Sequence, residues 1–286
     1  MKDKVKKLLK NITGKTHIIF VNKGNTSIKE IINLAKNLGK TKALMQDQGG
    51  WITYKQFASK AGLIAIELKT DYGIINFEDL EKKADQNSVL LVNSLVGYYA
   101  EENMNKIMKI CKKNNCLVIN DISGSIGTKN CAHGDIVFAS FGQWKPINLG
   151  FGGFIGFGEH LPLNIEMIPG TKKLLRRFIS TPEYFKGFIE FEFKENDLKK
   201  LYEKINNLNK RIKFLKNRHW KIKKDLKNYD IIHRKKSGIN VIVKYKGEEE
   251  KNKILKYCTD NYLEYTECPR YIRVNTPAIS IEVKRL

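Results

Sequence analysis

Short runs of consecutive apolar residues alternate with amphipathic stretches through the first half of this chain. The runs at 16–21, 43–45, 63–68, 88–92, 117–119 and 136–139 are nearly free of polar residues. That pattern predicts strands buried on both faces. Between them, 27–38 carries Ile28, Ile31, Ile32, Leu34 and Ala35 at helical spacing. The segments 53–61 and 77–83 also read as helices, and 101–113 places Met104, Ile107, Met108 and Cys111 on one face. Buried strands alternating with amphipathic helices predict an α/β fold, a mostly parallel sheet covered by helices on both faces.

After about residue 160 the pattern changes. Leu198, Leu201, Ile205, Leu208, Ile212 and Leu215 step by three and four, and Ile222, Leu226 and Tyr229 continue the register. The spacing predicts one long amphipathic helix over 198–229, with His219 as a packing residue on its apolar stripe. Beyond it, 239–243, 271–274 and 279–283 read as strands and 249–259 as a helix. These make a small α+β domain. The division is a large domain over 1–160 and a linking helix with the small C-terminal domain over 161–286. No internal repeat or low-complexity linker is visible.

Composition narrows the class. A chain of 286 residues, 42% hydrophobic and 29% charged, has the make-up of a soluble globular protein with a substantial core. No apolar run approaches the roughly 18 to 20 residues of a membrane span. The N-terminus is charged throughout and reads as an amphipathic helix rather than a secretory signal. Five cysteines with no CxxC pair read as reduced thiols of a cytoplasmic protein. Cys131-Ala132-His133 lacks a second ligand pair, so no metal site is expected. The net charge of +22 is uneven: residues 196–236 hold 15 Lys or Arg against 4 Asp or Glu. That stretch suits a solvated basic face, or a surface for an anionic macromolecule such as tRNA.

The candidate chemistry centres on Lys145, in Ser140-Phe141-Gly142-Gln143-Trp144-Lys145, ahead of Gly150-Phe151-Gly152-Gly153. Upstream, an apolar strand ends in Asp121. A strand-end Asp with a Ser and a Lys beside a glycine-rich turn is what a pyridoxal phosphate (PLP) site needs. The Lys forms the Schiff base, and the carboxylate keeps the pyridine nitrogen protonated so that the ring acts as an electron sink. Gly24-Asn25-Thr26-Ser27 follows a strand and opens a helix, which suits a phosphate, though Thr26 or Ser27 equally suits a plain N-cap. Trp51 follows a strand end and is a better candidate than Tyr54 for stacking on the ring. Ser140 offers a second phosphate contact. Arg273, read as a strand residue of the small domain, could hold a substrate carboxylate bidentately. All fall near carboxyl ends of strands, where open α/β sheets place ligands.

These residues resemble those of the fold type I PLP-dependent enzymes (the aspartate aminotransferase superfamily), and most closely the DegT/DnrJ/EryC1/StrS aminotransferases. The similarity rests on Ser140-Phe141 ahead of Lys145, on the Gly150–Gly153 turn, and on Val118-Ile119-Asn120-Asp121 with Gly124 and Gly127. It implies a seven-stranded large domain, a small C-terminal domain, PLP on Lys145, and a cytoplasmic homodimer acting on a small-molecule amino donor and acceptor. Two features depart from the family. Little sequence precedes the phosphate motif, which implies a shortened N-terminal substrate-binding segment. Gly124 stands where the family commonly has a Gln, His or Tyr near the cofactor phenolate, leaving Ser123 or Asn93 for that place.

Two other functions fit the same fold. One is a PLP-dependent lyase or sulfur/selenium transferase acting on a tRNA-borne amino acid, which calls for a working cysteine and would use the basic helix. The other is a degenerate, non-catalytic PLP fold.

Overall fold

The computed structural model describes residues 1–159, 190–270 and 272–286. The expected boundary at 160/161 and the residue Tyr271 lie outside them.

Seven strands form the central sheet: β1 (His17–Val21), β2 (Lys42–Gln46), β3 (Ile64–Leu68), β4 (Ser88–Asn93), β5 (Leu117–Asp121), β6 (Ile136–Ser140) and β7 (Gly153–Phe157). Their order is β1-β7-β6-β5-β4-β2-β3. The pairs β2/β3, β2/β4, β4/β5 and β5/β6 are parallel, while β7 runs antiparallel to both neighbours. The mostly parallel sheet is as expected from the fully apolar runs. β4 and β5 are buried along their whole length, so β-branched and Leu side chains point into an apolar layer on either face.

Helices supply those layers. α2 (Gly24–Asn37) and α3 (Thr53–Lys60) pack on one face, with Ile28, Ile31, Ala35, Tyr54 and Ala58 against Met45, Val89, Leu91, Ile119 and Phe138. The other face is shared. α4 (Phe77–Lys83) and α5 (Met104–Lys113) cover Leu44, Leu90, Val92 and Val118, and α1 (Lys2–Thr13) covers Ile18, Phe20, Val137 and Phe154. Local signals set the helix starts. Asn76 accepts the N–H of Asp79 at 2.9 Å and Asn103 that of Lys106 at 3.2 Å, each satisfying a donor that a helix start leaves free.

The long helix expected over 198–229 is two helices, α6 (Glu195–Asn206) and α7 (Leu208–Asp225). Asn207 breaks the run, and its side-chain amide bonds the Glu203 carbonyl at 3.0 Å, a local alternative to the helical ladder. The stripe changes core within α7: Leu198, Leu201, Ile205, Leu208 and Ile212 join the α1 layer, whereas Leu215 and Ile222 join the C-terminal core. His219 is a buried packing residue: Nδ1 lies 2.9 Å from the Asn240 carbonyl, and burial lowers its pKa to about 3.

A four-stranded antiparallel sheet completes the chain, in the order β8 (Asp230–Ile231), β9 (Val241–Lys244), β11 (Ala278–Ile281), β10 (Tyr265–Cys268), with α8 (Glu248–Asp260) packed on it. The strand expected over 271–274 is not present at 272–274; β11 corresponds to the strand expected over 279–283, and its partner is β10 instead. All five cysteines are buried free thiols. No helix among the described residues is long and apolar enough to cross a membrane.

Candidate active site

A cavity of about 430 Å³ opens where the C-terminal ends of the parallel strands meet the small domain. Its lining includes Gly24, Asn25, Trp51, Asn93, Asp121, Ser123, Ser140, Lys145 and Arg273. Nine of the ten site residues picked from the sequence thus face one space, although they come from seven separate segments.

Thr26 is the exception. It does not line the cavity, and its hydroxyl donates to Asn22 Oδ1 at 2.6 Å. Its neighbours are well placed for an anion. Lys23 caps α2, and the first N–H groups of that helix have no intrahelical partner. A Cβ on Gly24 would stand 2.8 Å from Ser140 Cβ. Glycine therefore lets the helix start sit directly against the end of β6, where Ser140 Oγ accepts the N–H of Gly142 at 3.1 Å. Asn25 also accepts the Trp51 indole N–H at 3.0 Å, which fixes that ring at the cavity wall.

Asp121 ends β5 and is buried. Its Oδ1 accepts the Ser123 N–H at 2.9 Å, and its Oδ2 accepts the Tyr54 phenol at 2.6 Å. Burial and the neighbouring carboxylate push the Tyr54 pKa well up, so the phenol stays a donor. The sequence weighed Tyr54 only as a ring to stack; the structure makes it the residue that steadies Asp121. Tyr54→Phe is expected to lower stability by about 2 kcal/mol, since a hydrogen bond to a charged group is lost inside the protein. Urea denaturation would measure it. A change below about 0.5 kcal/mol would remove Tyr54 from this role.

Lys145 lies between two rings. Its Nζ is 5.8 Å from the Trp51 ring centre and 4.7 Å from that of Tyr98, whose hydroxyl it contacts. Ser123 and Asn93 line the cavity but are occupied locally. Ser123 Oγ accepts the Ser140 N–H at 2.9 Å, and Asn93 Oδ1 accepts the Leu95 N–H at 3.2 Å.

Arg273 lies in a turn and is buried at 2% exposure. Its guanidinium grips Glu282 through Nε–Oε1 at 3.1 Å and Nη2–Oε2 at 2.9 Å. The bidentate fork expected for a substrate is therefore directed at a carboxylate of this chain. Lys284 Nζ lies 3.4 Å from the same carboxylate. Burial would raise the Glu282 pKa, but Arg273 and Lys284 beside it outweigh that and hold it at about 2. Burial, with Arg273 nearby, lowers Lys284 to about 6.

Tyr98, Arg270, Lys284 and Arg285 also line the cavity and were not picked out from the sequence, where the three basic residues are three among 52 Lys and Arg. Among the described residues no group of His, Cys, Asp or Glu is disposed to hold a metal ion.

The residues fit a phosphorylated pyridine aldehyde. They offer an anion cradle between α2 and β6, an indole at the wall, a fixed carboxylate at a strand end, and an amine. Together with the sheet order, this defines a fold type I enzyme of the PLP-dependent class. Residues 2–160 match the model of the DegT/DnrJ/EryC1/StrS aminotransferase family, and the chain belongs to that family. Residues 196–286 match the MJ1341 family C-terminal domain.

Solved structures share the fold at low identity. A 3-amino-5-hydroxybenzoic acid synthase matches with a TM-score of 0.71 at 14% identity, over 99% of this chain and 85% of that one. The apo cysteine desulfurase of Thermococcus onnurineus matches with a TM-score of 0.68 at 13% identity, over 98% and 78%. A GDP-4-keto-6-deoxymannose-3-dehydratase with bound GDP-perosamine matches with a TM-score of 0.69 at 14% identity, over 98% and 88%. No curated protein matches the sequence.

Proposed function

We propose that this chain is a PLP-dependent aminotransferase that works through Lys145 on an amino-acid donor. The observation that carries the reading is the single cavity uniting Lys145, Asp121, the Gly24–Ser140 cradle and Trp51. When bound there, PLP supplies the electron sink that stabilises negative charge on the substrate α-carbon.

The chain's own residues would divide the remaining work. Lys23, the first N–H groups of α2 and Ser140 hold the phosphate. Trp51 would give the pyridine ring an apolar wall. Asp121, steadied by Tyr54, would keep a proton on the pyridine nitrogen. Lys145 would hold the cofactor through its amine and, when free, take and return a proton at the substrate α-carbon. Because Glu282 holds both Arg273 and Lys284, and Glu264 holds Arg285 Nη1 at 2.6 Å, the donor carboxylate would fall to Arg270, which also lines the cavity.

The chain would act in the cytoplasm as a homodimer. The second reading, sulfur or selenium transfer, finds less support: the five cysteines are buried, and none lines the cavity. A tRNA partner would rest on the lysine-rich faces of α6 and α7. A degenerate, non-catalytic PLP fold is disfavoured by the complete set of cofactor-binding residue types around one cavity.

A screen of amino donors against PLP-loaded protein tests the function, read as conversion of PLP to its amine form. Asp121→Asn is expected to keep cofactor binding but to slow this half-reaction by roughly 10²-fold or more, since catalytic proton management typically contributes 10²–10⁴-fold. Failure of every donor with a fully loaded wild type would sink the aminotransferase reading.

A further inference from the structure

Gly124 and Tyr98 are fitted to one another. A Cβ on Gly124 would stand 2.9 Å from both Cδ1 and Cε1 of Tyr98 and 3.2 Å from Leu95 Cδ2. The glycine that departs from the family pattern is thus the residue that admits this ring. Tyr98 sits there with φ of 72°, a backbone conformation uncommon for a bulky residue. Its N–H bonds the Leu95 carbonyl at 3.1 Å, and its own carbonyl accepts the Ile239 N–H at 2.7 Å. The backbone is therefore held from both domains.

The ring is 6% exposed. Three basic groups surround it: Lys284 Nζ at 3.9 Å, Lys145 Nζ at 4.7 Å and the Arg273 guanidinium at 5.4 Å from its centre. Packing alone would require only the ring. The hydroxyl, however, is turned to the Lys145 amine. Ser123 and Asn93, the side chains expected to serve where Gly124 has none, are tied to Ser140 and Leu95.

We propose that Tyr98 is a positioning residue for the Lys145 amine. The phenol oxygen accepts a hydrogen bond from the ammonium. When Lys145 has given that proton to a reacting atom, the phenol turns its own O–H toward the nitrogen lone pair. Nζ thereby keeps one position in both protonation states, and the phenol's proton is never consumed. The proposal rests on the functional reading above only in taking Lys145 as the working amine.

Two variants test it. Tyr98→Phe keeps the ring and removes the oxygen. Gly124→Ala keeps the oxygen and displaces the ring. The first readout needs no cofactor: acetylation of Lys145 by acetic anhydride across a pH series, quantified by peptide mass spectrometry against an exposed lysine such as Lys113. Both single variants should raise the rate of Lys145 acetylation across the series, because the phenol no longer bonds the nitrogen lone pair, and leave that of Lys113 unchanged. In the double variant, Gly124→Ala should add nothing to Tyr98→Phe, because the two act through one contact. The second readout is the half-reaction of PLP-loaded protein. In Tyr98→Phe its rate should fall by about 10²-fold, the scale of a misplaced catalytic group, with donor KM changed by less than about threefold.

A Tyr98→Phe profile that superimposes on wild type overturns the proposal, as does a Gly124→Ala effect of equal size in both backgrounds. Should the wild type bind no PLP, the functional reading fails, and the acetylation profiles still decide whether Tyr98 governs the Lys145 amine.

Discussion

Lys145→Ala is expected to abolish turnover, by at least about 10⁴-fold, and to let PLP wash out of the protein. The variant removes the amine that holds the cofactor and the base that moves the substrate proton, so two contributions are lost together. No other lysine lining the cavity among the described residues takes its place. Lys284 is a second amine on the cavity wall, but it is 5% exposed and lies beside Glu282. Lys23 belongs to the opposite pole, at the start of α2. The measurement is a visible absorbance spectrum of PLP-loaded protein before and after gel filtration. Wild type should keep a cofactor band, and the variant should lose it. A band retained by the variant would mean that another amine holds the cofactor, and the role given to Lys145 would be wrong.

Glu282→Ala should be the most destabilising single change outside the hydrophobic cores. Glu282 is buried and accepts from Arg273 Nε and Nη2, Ser280 Oγ and Asn240 Nδ2, with Lys284 close by. Without it, Arg273 and Lys284 remain in the interior with no carboxylate between them. Breaking a buried pair from one side typically costs about 3–5 kcal/mol, a large part of the roughly 5–15 kcal/mol that stabilises a domain.

The pH dependence has a definite sign. The folded-state pKa of Glu282, about 2, lies below the ordinary glutamate value of 4.5. The group therefore contributes stability above about pH 4.5, and that contribution is lost as pH falls through about 2. The amount is on the order of 3 kcal/mol. Urea melts of wild type from pH 6 downward should weaken over that window. Those of Glu282→Ala should start lower and weaken less. Parallel acid limbs in the two proteins would show that Glu282 is not the group responsible.

Much of the site was legible because PLP chemistry demands particular residue types at strand ends. Lys145, Asp121 and Ser140 follow apolar runs whose meaning as buried strands is local. Gly24 and Asn25 open a helix for reasons visible in their immediate neighbours. The misreadings share another origin. Thr26 suits a phosphate by composition, but a hydroxyl can turn, and Asn22 lies within its reach. Arg273 suits a substrate carboxylate, but Glu282, nine residues on, folds back to meet it. The pairing of a charge with one partner rather than another depends on through-space distance, which residue type does not encode. The continuous stripe at 198–229 concealed a break because an apolar register says which face is buried and not where a side chain such as that of Asn207 turns to a backbone carbonyl.

The sequence by itself determined the layered α/β architecture, the strands that end at the cavity, and the amine and carboxylate that any PLP reading needs. Those follow from hydrophobic periodicity and from chemistry carried by single residues. Only the tertiary structure decided how the pieces face each other: Tyr54 under Asp121, Arg273 given to Glu282, Lys284 inside the cavity wall, and Tyr98 set into the space that Gly124 leaves. Tyr54 and Asp121 are 67 residues apart and Arg273 and Glu282 nine, and in each case packing and electrostatics through space, not any local preference of the residues involved, fix the contact.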